Sequence, residues 1–197
     1  MIRPIEFNDI DSIVKIHLAT FKGFFLSFLG ARFLSLYYSG IYKDSNGIGY
    51  VFVEDGKVCG FVAGTADPRG FYSKLLRRDW LRFALASVRA VLKKPSSFMR
   101  IARAVLYPSQ NLSGDHIAGL YSLGVIPEKQ GAGIGQKLVL SFLYDAKKRG
   151  CKLVTLTTDR YNNDNVNLFY CKMGFKIQQQ YSTSEKRHMN SYVTFID

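Results

Sequence analysis

The sequence predicts an α/β fold built on a mixed β-sheet. Residues 48–65 contain two apolar, β-branched runs joined by Asp55-Gly56, a dipeptide typical of a two-residue hairpin turn. From Ile117 onward, strand-like runs alternate with helix-like runs. One such strand and helix are joined through "LGVIPEKQGAGIGQKL", residues 123–138, in which three glycines fall within five residues. A glycine cluster at this place exposes backbone rather than side chains.

The remaining elements are predicted from spacing and capping residues. Asn8 or Asp9 can cap a first helix, and a second helical pattern covers roughly Leu29 to Tyr42. The first helix has apolar positions at helical spacing, namely Ile10, Ile13, Val14, Ile16 and Ala19. Other expected elements are a strand at Ile2 to Pro4, helices over about Ile134 to Arg149 and Asn165 to Met173, the strand "KLVTLTT" between them, and two final strands.

Length and composition predict one globular domain over residues 1–197. The chain is 47% hydrophobic, which suffices for a sizeable core. Its three cysteines are far apart, so neither a disulfide framework nor a metal site is expected, and a reducing cytoplasm fits best. Arg32 and internal serines interrupt the apolar stretch at residues 23–41, which is therefore expected to be a buried segment rather than a membrane span.

The glycine-rich segment predicts an anion site. The first N–H groups of a helix lack partners within the helix, and the helix dipole adds positive potential there. Glycines allow an anion to approach those N–H groups closely. The spacing matches neither the dinucleotide-binding nor the nucleoside-triphosphate glycine motif. What remains is Q-x-x-G-x-G at Gln130, Gly133 and Gly135, which a plain turn between a strand and a helix could also contain.

A second motif lies some thirty residues after the glycine-rich segment. The stretch "NNDNVNLFYCKMGF" follows the strand "KLVTLTT" and supplies Asn163, Val166, Phe169, Tyr170, Gly174 and Phe175. Together the two motifs resemble the GNAT superfamily of acyl-CoA N-acyltransferases, with its patterns V-x-P-x-x-[QR]-x-x-G-x-[GA] and N-x-x-A-x-x-[FL]-Y-x-x-x-G-F. The match covers about residues 118–176. It implies a mostly antiparallel sheet of six to seven strands flanked by helices and splayed at the strand before the glycine loop.

The resemblance also implies the cosubstrate, acetyl-CoA, and its contacts. Main-chain amides of the glycine loop would wrap the pyrophosphate. Backbone groups of the preceding strand would hydrogen-bond the pantetheine arm as an added strand would. The implied cofactor-binding residues are Leu123, Val125, Gln130, Gly131, Ala132, Gly133, Ile134, Gly135 and Asn163.

Aminolysis of a thioester needs a neutral amine, a polarised carbonyl and a proton for the departing thiolate. Tyr170 matches the position whose hydroxyl lies near the thioester sulfur, so it is the candidate proton donor. Many relatives carry a glutamate on the strand before the glycine loop, but Gly119 stands near that place here. His116 is the candidate general base because its ordinary pKa suits that role. Asp115, Asp159 and a water chain are the alternatives.

Charge is concentrated in one block. Residues 69–105 contain ten Lys and Arg against the single acid Asp79, which accounts for +9 of the net charge of +12. On a helix, Arg78, Arg82, Arg89 and Lys93 would share one stripe. We therefore expect a basic, amphipathic helical insertion over residues 69–110, with Arg78 and Arg82 as candidate contacts to an anionic acceptor. An anionic membrane surface, nucleic acid and a solvated face are the other interpretations.

The sequence thus predicts an N-acetyltransferase that transfers the acetyl group of acetyl-CoA to a primary amine of a small molecule. Similarity to transferases of surface-polysaccharide biosynthesis suggests an amino sugar or its nucleotide. A protein or peptide N-acetyltransferase is the alternative, and a non-catalytic basic module that binds CoA, membrane or nucleic acid is a third. A nucleic-acid partner is not expected, because no helix-turn-helix or RNA-binding signature is present. The oligomeric state is left open, and a dimer is one option.

Overall fold

A computed structural model describes residues 1–93 and 115–196. Its seven strands form one sheet in the order β1-β2-β3-β4-β5-β7-β6. All neighbouring strands are antiparallel except the parallel pair β4 and β5, so the predicted mixed, mostly antiparallel sheet is confirmed. The strands are β1 (Ile2–Pro4), β2 (Gly47–Glu54), β3 (Lys57–Thr65), β4 (Ile117–Val125), β5 (Leu153–Asp159), β6 (Lys176–Ser182) and β7 (His188–Phe195).

Helices cover both faces of this sheet. They are α1 (Ile10–Thr20), α2 (Phe25–Leu29), α3 (Ala31–Lys43), α4 (Phe71–Arg78), α5 (Trp80–Lys93), α6 (Ile134–Lys148) and α7 (Asp164–Lys172). One core, with Ile13, Leu34 and Phe61 at its centre, lies between the sheet and α1 to α5. A second core, with Leu138 and Phe142, lies under α6. Among the described residues, no helix is long and apolar enough to cross a membrane.

The turn chemistry of the predicted hairpin is confirmed. Asp55 and Gly56 both have positive φ, 50° and 71°, as the two central residues of a type I′ turn require. The predicted second helix corresponds to α3, and Gly30, with φ of 90°, separates it from the short helix α2 that precedes it.

The predicted N-terminal cap takes a different form. Asp9 precedes α1, but its side chain makes no cap hydrogen bond to that helix. Its carboxylate instead accepts hydrogen bonds from the Arg3 guanidinium at 2.6 and 2.8 Å and from the Glu6 N–H at 2.8 Å. These contacts hold the start of α1 against β1.

The basic insertion begins with two helices, α4 and α5, rather than one. Residues 94–110 of the expected insertion lie outside the described part of the chain. Helix α5 buries Phe83, Ser87 and Ala90. Its leucines, Leu81, Leu85 and Leu92, are all exposed. The leucine-rich side of this helix is therefore exposed, and its buried contact face is narrow.

The sheet opens at its centre, as the resemblance implied. β4 and β5 are paired only at Ile117 with Leu153, Ala118 with Val154, and Gly119 with Thr155. On the other side of β4, the register with β3 passes from Gly64–Leu120 to Ala63–Ser122 and leaves Tyr121 as a bulge. Beyond this point β4 continues with β3, whereas β5 continues with β7. A V-shaped gap separates the ends of the two parallel strands.

Candidate active site

Backbone groups of β4 face this gap. The Ile126 N–H donates to Cys59 O on β3 at 2.9 Å. Because peptide groups alternate in direction along a strand, the N–H and C=O groups of Val125 and Leu123 point away from β3, toward the gap. The Val125 carbonyl accepts a hydrogen bond from Gln130 Nε2 at 3.1 Å. The edge left by the early end of β4–β5 pairing can therefore hydrogen-bond an extended ligand.

The glycine loop lies at the wide end of the gap. Gly131 and Gly133 have positive φ values of 82° and 76°, and a Cβ atom added at either would meet no atom within 4 Å. Gly133 precedes α6, and no side chain caps the first turn of that helix. The first amides of α6 are thus directed at open space, as an anion site requires.

A cavity of about 430 Å³, here called the loop cavity, lies against this segment. Its lining includes Leu123, Val125, Gln130, Gly131, Gly133, Ile134, Gly135, Gln136, Val166, Phe169 and Tyr170. The structure therefore brings together every cofactor contact expected on the loop and on β4 except Ala132, which is not part of this lining.

A second cavity of about 350 Å³, here called the aromatic cavity, lies on the other side of the gap. The segment from α1 to α2 contributes His17, Thr20, Phe21, Phe24, Phe25 and Leu26. β4 contributes residues 120–123, and the C-terminal half contributes residues that include Asn163, Arg187 and Met189. Leu123, Val166 and Tyr170 line both cavities, so the two meet at these side chains.

Tyr170 is held rigidly at this junction. It is 6% exposed, and its ring packs against Phe169, Phe175 and Tyr192. Burial raises the pKa of its hydroxyl above the usual value, because the phenolate would lose its hydration. Tyr170 is therefore a neutral phenol at neutral pH and carries a proton to donate.

Asn163 is located at the start of α7. Its Nδ2 donates to Thr158 Oγ1 at 2.7 Å and to Asp159 O at 3.1 Å, which fixes the side chain at the end of β5. It lines the aromatic cavity rather than the loop cavity.

His116 lies away from both cavities. It is exposed at the paired end of β4, where its Nδ1 is 2.8 Å from Gly150 O. Gly119 stands near the strand position where many relatives carry an acid. The ring of Tyr121 occupies the space beside it, since a Cβ at Gly119 would lie 2.9 Å from that ring. The other acids considered are also engaged, since Asp115 pairs with Arg69 at 2.6 Å and Asp159 pairs with Arg187 at 2.7 Å.

Arg78 and Arg82 are likewise not part of either lining. Both side chains are more than half exposed, and both lie near Asp79, at 3.7 and 3.5 Å. The structure does not bring these two candidate substrate contacts to the junction at Tyr170.

Arg187 is a cavity residue that sequence reasoning missed. Its guanidinium binds both carboxylate oxygens of Asp159, with Nη2 to Oδ2 at 2.7 Å and Nε to Oδ1 at 3.1 Å. The same guanidinium lies 5.0 Å from the centroid of the Phe24 ring, a cation–π distance. Arg187 thus connects the turn between β6 and β7 to the segment between α1 and α2 in the wall of the aromatic cavity.

His17 is a second residue that sequence reasoning missed. It is 3% exposed, its Nδ1 is 2.6 Å from Tyr38 Oη, and its ring centroid is 4.5 Å from that of Phe21. Burial lowers its pKa to about 4, because the imidazolium would lose hydration. The signal was present in its spacing: His17 follows Ile13 by four residues and Val14 by three, which places it on the buried face of α1.

The low pKa of His17 predicts a pH-dependent stability. The unfolded chain binds a proton at this residue near pH 6.5, whereas the folded protein does so only near pH 4. The free energy of unfolding should therefore fall as pH is lowered through this window, by at most roughly 3 kcal/mol from His17. Urea titrations from pH 7 to pH 4 should show a shallower decline for His17→Phe. His116→Phe, a matched change at an exposed histidine, should keep the wild-type slope; equal slopes in all three proteins would contradict the assignment.

Comparisons with known proteins agree with this geometry. A family model described as the acetyltransferase (GNAT) family matches residues 11–175. The ribosomal-protein-S18-alanine N-acetyltransferase of Escherichia coli is 15% identical, with a TM-score of 0.62 over 100% of this chain and 94% of that chain. An aminoglycoside 6′-acetyltransferase type Ii is 14% identical, with a TM-score of 0.66 over 100% and 97% of the two chains.

An aminoglycoside 6′-N-acetyltransferase in complex with coenzyme A is 12% identical, with a TM-score of 0.63 over 100% of this chain and 97% of that chain. A search of curated protein sequences gives no significant match. In the described residues, no group of three or more His, Cys, Asp or Glu side chains could hold a metal ion. From the family-model match and the shared fold, we conclude that the chain belongs to the GNAT family of acetyltransferases, which use acetyl-CoA.

Proposed function

We propose that this protein transfers the acetyl group of acetyl-CoA to a primary amine of a small molecule. The observation that carries the proposal is the junction at Tyr170, where a cavity with free backbone donors meets a cavity lined largely by apolar and aromatic side chains. One side suits a diphosphate and an extended arm, and the other suits the body of an amine.

The loop cavity fits the cosubstrate. The open space at Gly131 and Gly133 leaves room for a pyrophosphate against the first amides of α6. The backbone groups of Leu123 and Val125 that face the gap can hydrogen-bond the pantetheine arm in the place of a paired strand. Acetyl-CoA would supply an activated acetyl thioester at the junction between the cavities.

A small acceptor is favoured over a protein by the shape of the aromatic cavity. Its volume of about 350 Å³ is within the range of small-molecule sites. Arg187 and Phe24 both line this cavity and contact each other, so they join two of its walls and leave less room for an extended peptide. The structural neighbours do not decide between the two classes, because they include acetyltransferases of a ribosomal protein and of aminoglycosides at similar, low identity.

The lining also indicates the character of the acceptor. Phe21, Phe24 and Tyr121 offer aromatic faces, and Asp159 neutralises the charge of Arg187. An amine with an apolar face, such as an amino sugar ring or an arylalkyl group, would fit this surface. Because Arg78 and Arg82 lie outside the lining, it gives no support to a strongly anionic acceptor held by these residues.

In the proposed reaction, Tyr170 is the proton donor to the leaving sulfur. As the amine nitrogen bonds to the acetyl carbon, the bond from that carbon to sulfur breaks and the sulfur needs a proton. The neutral phenol of Tyr170 donates that proton and recovers one from water afterwards.

The glycine loop can be tested with two glycines that have similar, positive φ angles. Gly133→Val should weaken CoA binding by about tenfold or more, because the side chain would occupy the anion site. Gly150 also has a positive φ, 79°, with no atom within 4 Å of an added Cβ, but lies beyond the opposite end of α6. Gly150→Val should carry similar strain and keep wild-type affinity. Calorimetric titration with CoA is the measurement, and equal affinities for the two variants would remove the loop from the site.

Tyr170→Phe should lower kcat by roughly 10²-fold with little change in the affinity for acetyl-CoA, because only the proton donor is lost. Tyr144, an exposed tyrosine on α6, provides the control, and Tyr144→Phe should retain full turnover. The rate of thiol release under saturating substrates distinguishes these outcomes. Wild-type turnover by Tyr170→Phe would restrict this residue to packing.

The acceptor class can be tested by thiol release with glucosamine, phenethylamine and a short peptide. At least one of the two small amines should accelerate release, whereas the peptide should not. Phe24→Ala should raise KM for the accepted amine by about tenfold and leave KM for acetyl-CoA unchanged, since only the acceptor loses contact surface. Phe28→Ala, at a comparably exposed residue outside the lining, should change neither value. Turnover with the peptide alone would instead assign a protein acceptor.

A further inference from the structure

His17, one of the residues that line the aromatic cavity, has a ring nitrogen without a hydrogen-bond partner in the described part of the chain. His17 Nε2 is buried and has no hydrogen-bond partner within residues 1–93 and 115–196. Buried polar groups in folded proteins are nearly always hydrogen-bonded, because the lost contact with water is otherwise uncompensated. A ligand of the aromatic cavity that reached this nitrogen would supply the missing partner.

The other ring nitrogen of His17 is held in place. Its Nδ1 lies 2.6 Å from the hydroxyl of Tyr38 on α3, a residue that is only 1% exposed. Burial raises the pKa of the Tyr38 hydroxyl, and the nearby hydroxyl of Ser122 on β4 opposes that rise. His17 and Ser122 both line the aromatic cavity, and Tyr38 lies in the core behind them.

We propose that His17 Nε2 binds the acceptor amine and accepts the proton that the amine nitrogen loses, in the place of the acid that β4 lacks at Gly119. This role rests on the proposed function. It gives the reaction its second proton transfer: the nitrogen bonds to the acetyl carbon, its proton passes to His17 Nε2, the carbon–sulfur bond breaks and Tyr170 protonates the sulfur. His17 then releases its proton to water.

The hydrogen bond to Tyr38 determines which ring nitrogen of His17 is available. When Nδ1–H donates to Tyr38 Oη, Nε2 keeps its lone pair and is directed away from Tyr38. Tyr38 is then a positioning residue, since it acts on the amine only through His17. Because Nε2 is shielded from water, binding requires a small side-chain displacement in the cavity wall.

Burial makes His17 a weak base but keeps its ring in the neutral form that can accept a proton. Its low pKa keeps the imidazole neutral at neutral pH, so the lone pair is available. The amine nitrogen becomes positively charged as it bonds to carbon, and its proton then becomes acidic enough for a weak base to accept. His116, by contrast, lies at the exposed, paired end of β4, away from both cavities.

The test compares His17→Phe with His116→Phe, using acetyl-CoA and the most active amine of the panel. His17→Phe conserves a ring in the core, so it should fold and bind CoA normally, but kcat should fall by roughly 10²-fold. Added imidazole should restore part of the activity of His17→Ala, because it can occupy the space left by the side chain, and should not restore Tyr170→Phe. Loss of turnover in His116→Phe but not in His17→Phe would overturn the proposal.

A spectroscopic measurement tests the same role without turnover. In protein labelled with ¹⁵N-histidine, the His17 resonances should show a neutral ring protonated at Nδ1, and Tyr38→Phe should shift the population toward the other tautomer and lower kcat. A ring protonated at Nε2 in the wild-type protein would overturn the role of His17 and leave the acetyltransferase function intact. Absence of thiol release from the wild-type protein with every amine would overturn the proposed function, and this role with it.

Discussion

The parallel pairing of β4 with β5 ends after three residue pairs, and the candidate site depends on that early end. Had the two strands remained paired to Val125, the peptide groups of Leu123 and Val125 would be satisfied within the sheet. The bulge at Tyr121 accompanies the separation and changes which residues of β4 face α1. As a result Ser122 and Tyr121 line one cavity while Val125 lines the other, and Leu123 belongs to both.

Two kinds of surface meet at this gap for different physical reasons. The loop cavity owes its hydrogen-bonding groups to backbone, because glycines in left-handed conformations leave amides open and no side chain caps the first turn of α6. The aromatic cavity owes its apolar wall to side chains of the segment from α1 to α2, and the guanidinium of Arg187 in this lining is paired with Asp159. His17 Nε2, a buried nitrogen of another lining residue, has no partner within the described residues.

The parts of the structure that could be predicted from the sequence are those encoded locally. Asp55-Gly56 predicts its turn because both residues tolerate positive φ angles. The loop around Gly133 could be predicted because the glycine and the start of the helix are adjacent in the chain. Arg187 and Asp159 are 28 residues apart, and no local pattern indicates that they meet beside a cavity. His17 shows only the periodicity of a core position. The charge of the basic block could be counted from the sequence. Its distance from the junction at Tyr170 could not be predicted, because net charge contains no information on position.

Leu123, Val166 and Tyr170 are walls common to both cavities, and this has a kinetic consequence. In the proposed reaction, acetyl-CoA fills the loop cavity and contacts the side chains that both cavities share. It therefore forms part of the surface on which the amine binds. An amine that entered first would face an incomplete pocket and would obstruct the passage of the acetyl group to the junction. We therefore expect a compulsory order of addition, with acetyl-CoA first and the amine second, and departure of the amide before CoA.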